Sequence, residues 1–206
     1  METKQKRFKS PCKNNCNRRL FILKGSQLAA GITFIPGILN SSFTNFQQQT
    51  KEEIHQKLDE LVYKNFQVYG TCSQATFSTL NEVFDLNAEN ITKALASFPG
   101  IAMRGETCGA VSACLLGIAL VYEKESESKE RPKLSDSPSM NFCTRFENEY
   151  GSTRCRDVIR KVSKKEYQIT KPEDYVILAQ DGALNNCPEV VKKALHFAAD
   201  IIMENV

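Results

Sequence analysis

The sequence has no tryptophan, two histidines and no run of about 18 or more apolar residues, and the last absence argues against a multi-spanning membrane protein. No unit of about 20 to 50 residues recurs, so a solenoid is excluded. There is no C-x-x-C pair and no C-x-x-C-H. The first absence removes the spacing of a zinc ribbon, and the second removes covalent attachment of a c-type haem. Neither G-x-G-x-x-G nor a Walker loop occurs, and no Ser/His/Asp set stands in a recognisable context. The sequence therefore shows no enzyme active site. His55 falls near the charged face of an expected helix and His196 within the terminal apolar helix; both read as structural or solvated.

What is present suits one domain with an appendage. The chain has 206 residues, of which 41% are hydrophobic and 25% charged, enough apolar content for a core and too much for global disorder. Its net charge of +3 conceals an asymmetry. Residues 1–24 hold eight of the 27 basic residues and one of the 24 acids, so the remainder carries 19 basic against 23 acidic. An acidic body lacks the electrostatic footprint of a nucleic-acid binder.

The basic stretch ends in Arg18-Arg19-Leu20-Phe21, and no charge follows between Lys24 and Lys51. A basic region followed by a moderately apolar one has the layout of an export signal, and the paired arginines resemble a twin-arginine signal. Asn17 stands where Ser or Thr is usual, and no clean small-x-small cleavage site follows Leu39. Residues 1–42 thus read as an export signal or a retained membrane anchor, placing the protein outside the cytoplasm or in a periplasm. Cys12 and Cys16 lie upstream of the arginines and read as unpaired thiols.

Residues 50–206 read as an all-α bundle of five to seven helices. Thr50 with Glu53 makes a capping box, and Ile54, Leu58, Leu61, Val62 and Phe66 form one apolar stripe ended by Gly70. Further helices are expected over Cys72–Phe84, Ala88–Phe98, Met140–Tyr150, a run after Cys155, and Pro188–Glu204. Cys108–Tyr122 is apolar on every side and too short to span a bilayer, which makes it the central buried helix; a second copy of the chain could also complete its surroundings. Glu123–Ser139 reads as a surface loop, and Tyr175–Ala179 is the one strand candidate.

Six cysteines lie in this body. Cys72, Cys108, Cys155 and Cys187 each stand at an expected helix start, where free N–H groups and the helix dipole favour thiolate over thiol. Thiolate is the form that ligates metals and iron–sulfur clusters. Four converging cysteines would make a tetrathiolate site. Cys114 and Cys143 lack that setting and read as structural. Glu106 and Asp157 flank the cysteines as charges suited to helix N-termini.

The run Arg104-Gly105-Glu106-Thr107-Cys108-Gly109-Ala110-Val111-Ser112-Ala113 resembles the signature of the C_GCAxxG_C_C redox-active family. The remaining marks stand at Cys72-Ser73-Gln74-Ala75, at Phe146 through Arg156, and at Cys187 with the helix after it. The resemblance covers about Leu58 to Met203. Ala113 replaces a family glycine, and the usually glycine-rich approach to the second cysteine reads Phe98-Pro99-Gly100-Ile101-Ala102-Met103. The resemblance implies a small helical redox-active domain whose four cysteines act together. In a related domain found with haem, an iron–sulfur centre is the implied role.

Three functions follow as expectations. The first is an exported electron carrier with an iron–sulfur cluster, most simply [2Fe–2S], on Cys72, Cys108, Cys155 and Cys187, serving a redox partner protein. The second is cofactor-free thiol–disulfide exchange. The third is a non-catalytic module held by zinc or disulfides, docking a partner through its acidic surface.

Overall fold

The computed structural model describes residues 49–122 and 137–204, so the export-signal reading of residues 1–42, Cys12 and Cys16 lie outside the described residues, as does most of the expected surface loop. Helix α1 (Lys51–Tyr69) opens on the capping box read from the sequence: Thr50 Oγ1 accepts from Glu53 N at 3.2 Å, and the Glu53 carboxylate accepts from Thr50 N at 2.8 Å. It ends at Gly70, whose left-handed backbone (φ 67°) lets its N–H donate to Phe66 O.

After α2 (Cys72–Phe84), α3 (Glu89–Ala94) tightens into a 3-10 turn at Leu95–Ser97. The turn Gly100–Met103 leads on to α4 (Gly109–Tyr122), α5 (Pro138–Tyr150) and α6 (Cys155–Ser163). Helix α7 (Asp174–Gln180) and a 3-10 turn at Ala183–Asn186 precede α8 (Cys187–Glu204).

The fold is all-α, and no strand occurs among the described residues; the isolated bridge Thr107–Arg154 stands outside any strand. Seven of these helices occupy stretches outlined by the sequence. The eighth, α7, corrects the strand expected over Tyr175–Ala179. Its inward residues are half-buried Tyr175 and fully buried Leu178, three apart, while Val176 and Ile177 between them are exposed. That is helical spacing, not alternation. The Asp174 carboxylate accepts from the N–H groups of Thr170 (2.8 Å) and Lys171 (3.2 Å), tying the preceding loop to the helix start.

Helix α4 is central, packed by α2, α5 and α8. Gly117 permits the closest approach: a Cβ there would lie 2.7 Å from Leu80 Cδ1. One face of α4, including Val111, Cys114 and Ile118, is fully buried. The other face (Leu115, Leu116, Ala119, Leu120) is half-buried instead of enclosed all round, since among the described residues it is those three helices that pack closely against α4. Among the described residues no helix is long and apolar enough to cross a membrane.

The buried side chains form two clusters. The larger joins α1, α2, α4, α5 and α8, takes in Val158 of α6 and includes Cys108. The smaller gathers Cys155, Ile159, Ile169, Leu178 and Ala183, with Tyr167 and Tyr175 at its edge. Two of the four helix-start cysteines therefore sit on opposite sides of a seam.

Candidate functional site

Cys72, Cys155 and Cys187 are the first residues of α2, α6 and α8, and Cys108 immediately precedes α4. The structure brings all four to one cavity of about 20 Å³. Its other walls are Val158, Ile159 and Val162 of α6 and Val190 and Val191 of α8. Pockets for organic ligands are usually about 300–1,000 Å³, so this space suits a small inorganic group.

Backbone pairing aligns two of the helix starts. Cys108 N donates to Thr153 O at 2.9 Å, and Cys155 N donates to Glu106 O at 2.6 Å. Arg156 donates from both N and Nε to Gly105 O, each at 3.1 Å, and its guanidinium pairs with Glu106. Glu106 is thus more than a charge at a helix end: with Arg156 it clamps the approach to α4 onto the start of α6. Asp157 keeps the expected place in the first turn of α6 and accepts from Ser152 Oγ at 2.8 Å.

Gly109 sets the distance between the starts of α2 and α4. A Cβ on it would lie 2.5 Å from Cys72 Sγ and 3.0 Å from Ser73 N, closer than real Cβ atoms come. Only glycine lets the α4 backbone rest against that sulfur.

The electrostatics correct one expectation. Placement at helix starts predicts lowered thiol pKa values, yet all four are raised. Burial is the largest cause for each. Mutual repulsion adds to it for Cys72, Cys108 and Cys187, and every one of the six pairs among the four sulfurs contributes. The N–H groups of Ser73 and Gly109 at Cys72, and of Ala110 and Val111 at Cys108, pull the other way without prevailing. A helix end helps a thiolate that stays wet, but these sulfurs are desolvated together.

Cys155 has two aids the others lack. The Tyr175 hydroxyl shares a hydrogen bond with its Sγ at 3.2 Å, and the Arg156 charge favours its thiolate. The Tyr175 phenol is in turn pushed up by burial and by the Cys155 charge. Tyr150 also stands near the centre, pushed up to about 12 by burial, with Glu149 and Cys108 contributing. Sequence reading gave neither tyrosine a role: Tyr150 stood only within a family mark, and Tyr175 was hidden inside the strand candidate.

Cys114 is fully buried in the larger core and Cys143 half-buried on α5, and neither lines the cavity. The histidines form a second cluster that sequence reading missed. Their rings stack at 4.0 Å; His55 Nε2 meets Asp200 at 2.8 Å, and His196 Nε2 meets Asp59 at 2.7 Å. The repeated His-x3-Asp spacing on α1 and α8 was the available signal. Among the described residues no three or more His, Cys, Asp or Glu already form a group able to hold a metal ion, so the four thiols border the cavity without meeting at one point.

A small all-α domain whose helix-start cysteines share one small cavity defines a thiol-centred protein. Residues 70–201 match the family model described as "Putative redox-active protein (C_GCAxxG_C_C)", and the chain belongs to that family. No curated protein and no solved structure matches it.

Proposed function

We propose that the protein is an electron carrier that holds an iron–sulfur cluster, [2Fe–2S], on Cys72, Cys108, Cys155 and Cys187. The observation that carries this reading is that four thiols, two buried and two half-buried, line one small cavity where their thiolates would repel one another. A polycation would neutralise four thiolates there and favour loss of their protons. The donor set fits: sulfur-only ligands suit soft iron–sulfur chemistry, and N–H groups already point at two of the sulfurs. When bound, the cluster supplies a site that gains and loses one electron without rearranging the fold.

The protein's own residues position and insulate that site. The valine and isoleucine walls surround the sulfurs with apolar side chains, and the Glu106–Arg156 clamp holds the approach to Cys108 against the start of α6. Tyr175 donates to Cys155 once that sulfur is anionic. A mononuclear zinc would draw all four sulfurs to about 2.3 Å from one point, and among the described residues the thiols do not already meet in such a group. Cofactor-free exchange needs an accessible thiolate, and thiols that are buried or half-buried, with raised pKa values, speak against it.

Potentiometric titration of anaerobically purified protein tests this reading. A single reversible one-electron change in visible absorbance is expected; colourless protein without a redox transition, made in cluster-competent cells, contradicts it. Export follows from the signal-like residues 1–42. Cell fractionation of a chain carrying Arg18→Lys and Arg19→Lys should find it retained in the cytoplasm, and an unchanged distribution would remove that part of the reading.

A further inference from the structure

The approach to the second cysteine combines two features that cost stability. Gly100, Ile101, Ala102 and Met103 all have positive φ, between 46° and 58°, and three of them carry side chains for which that backbone is unfavourable. The turn nevertheless holds apolar side chains in water: Phe98 is 37% exposed, Ile101 39% and Met103 38%. Strained backbone of this kind persists where its surroundings hold it, commonly at functional sites.

The turn touches the centre. A Cβ at Gly100 would lie 3.4 Å from Cys155 Cβ and would overlap the Tyr175 hydroxyl. The charges beside it are basic. Arg104 continues the turn, Arg154 precedes Cys155, both are exposed, and neither has an ion-pair partner among the described residues. Arg156 and Glu106 neutralise one another. An apolar patch with a basic rim is thus set against a chain whose residues beyond 24 are net acidic.

We propose that Phe98, Ile101 and Met103, flanked by Arg104 and Arg154, dock an acidic one-electron carrier protein and bring its cofactor to Cys155. This rests on the electron-carrier reading. One electron leaves the reduced carrier, which is oxidised by one, and enters the centre, which is reduced by one; no bond forms and no proton moves. The apolar patch supplies contact, and the arginines supply orientation and encounter rate.

Calorimetric binding of an oxidised [2Fe–2S] ferredoxin, itself acidic, to the full chain at low salt tests the surface. The double variant Arg104→Glu/Arg154→Glu is expected to weaken binding about tenfold or more by placing like charges together. Ile101→Asn/Met103→Asn removes the apolar contact while keeping a residue that tolerates left-handed backbone, and a similar loss is expected. Circular dichroism should match the parent in both. Failure of the parent chain to bind, or equal binding by both variants, would overturn the proposal. So would a concentration-dependent dimer lost on Ile101→Asn/Met103→Asn, which assigns the patch to a second copy. The assay reads association alone, so colourless protein would refute the cluster while leaving this result interpretable.

Discussion

At Gly109 a single missing methyl group decides how close two helix starts can come. Alanine normally favours a helix over glycine by about 1 kcal/mol, but here its Cβ would press on Cys72 Sγ and the Ser73 backbone. Gly109→Ala should therefore destabilise the reduced, metal-free chain by about 1–3 kcal/mol, as overpacking does, read by urea unfolding. Tyr175→Phe makes a different test, since it deletes one hydrogen bond to Cys155 and keeps the ring. That donor favours the more negative, reduced centre. Its loss should lower the midpoint potential by the equivalent of about 1 kcal/mol, measured by voltammetry. The four cysteines were legible as helix-start residues because Gly, Thr, Ser and Pro punctuate the sequence around them. The sign of their pKa shifts was not legible, because it depends on desolvation and on neighbours brought together by folding.

At the scale of elements, the α1–α8 interface is an ionic seam. His55 and His196 stack between Asp59 and Asp200, with Lys51, Lys192 and Arg145 reaching the same carboxylates. Burial and the neighbouring cations hold His196 below the ordinary imidazole value of 6.5 against the pull of Asp59. The folded chain then binds fewer protons than the unfolded one just below that pH, so stability present above pH 6.5 is lost as pH falls through the folded value. Unfolding curves across this range should show that slope, and His196→Gln should flatten it. The strained turn gives a paired test by thermal unfolding. Ala102→Gly, at φ 53° and exposed, should leave stability within about 1 kcal/mol of the parent or raise it, as glycine relieves left-handed backbone. Gly100→Ala should lower it, because its Cβ overlaps Tyr175. Helix α7 shows where periodicity misled. Five residues from Tyr175 to Ala179, rich in apolar side chains, fit a strand and a single helical turn equally well, and the inward pair Tyr175 and Leu178 is recognisable only once packed.

Over the whole molecule, the centre lies where two apolar clusters meet. Cys155 belongs to the smaller and Cys108 to the larger, so a group bound by all four cysteines would fasten one cluster to the other. Bound group and fold should then stabilise each other by linkage. The all-α class was readable from the apolar stripes and caps. Convergence was not, since it follows from the packing of α2, α4, α6 and α8, and the family resemblance alone suggested it. Iron and acid-labile sulfide, measured in anaerobically purified protein and in its single Cys→Ser variants, show whether the four cysteines hold one cluster together. About two iron and two sulfide per chain are expected, with marked loss in Cys72→Ser, Cys108→Ser, Cys155→Ser and Cys187→Ser and none in Cys114→Ser or Cys143→Ser. Iron-free parent protein, or the same content in all six variants, would rule out a cluster held by these four cysteines.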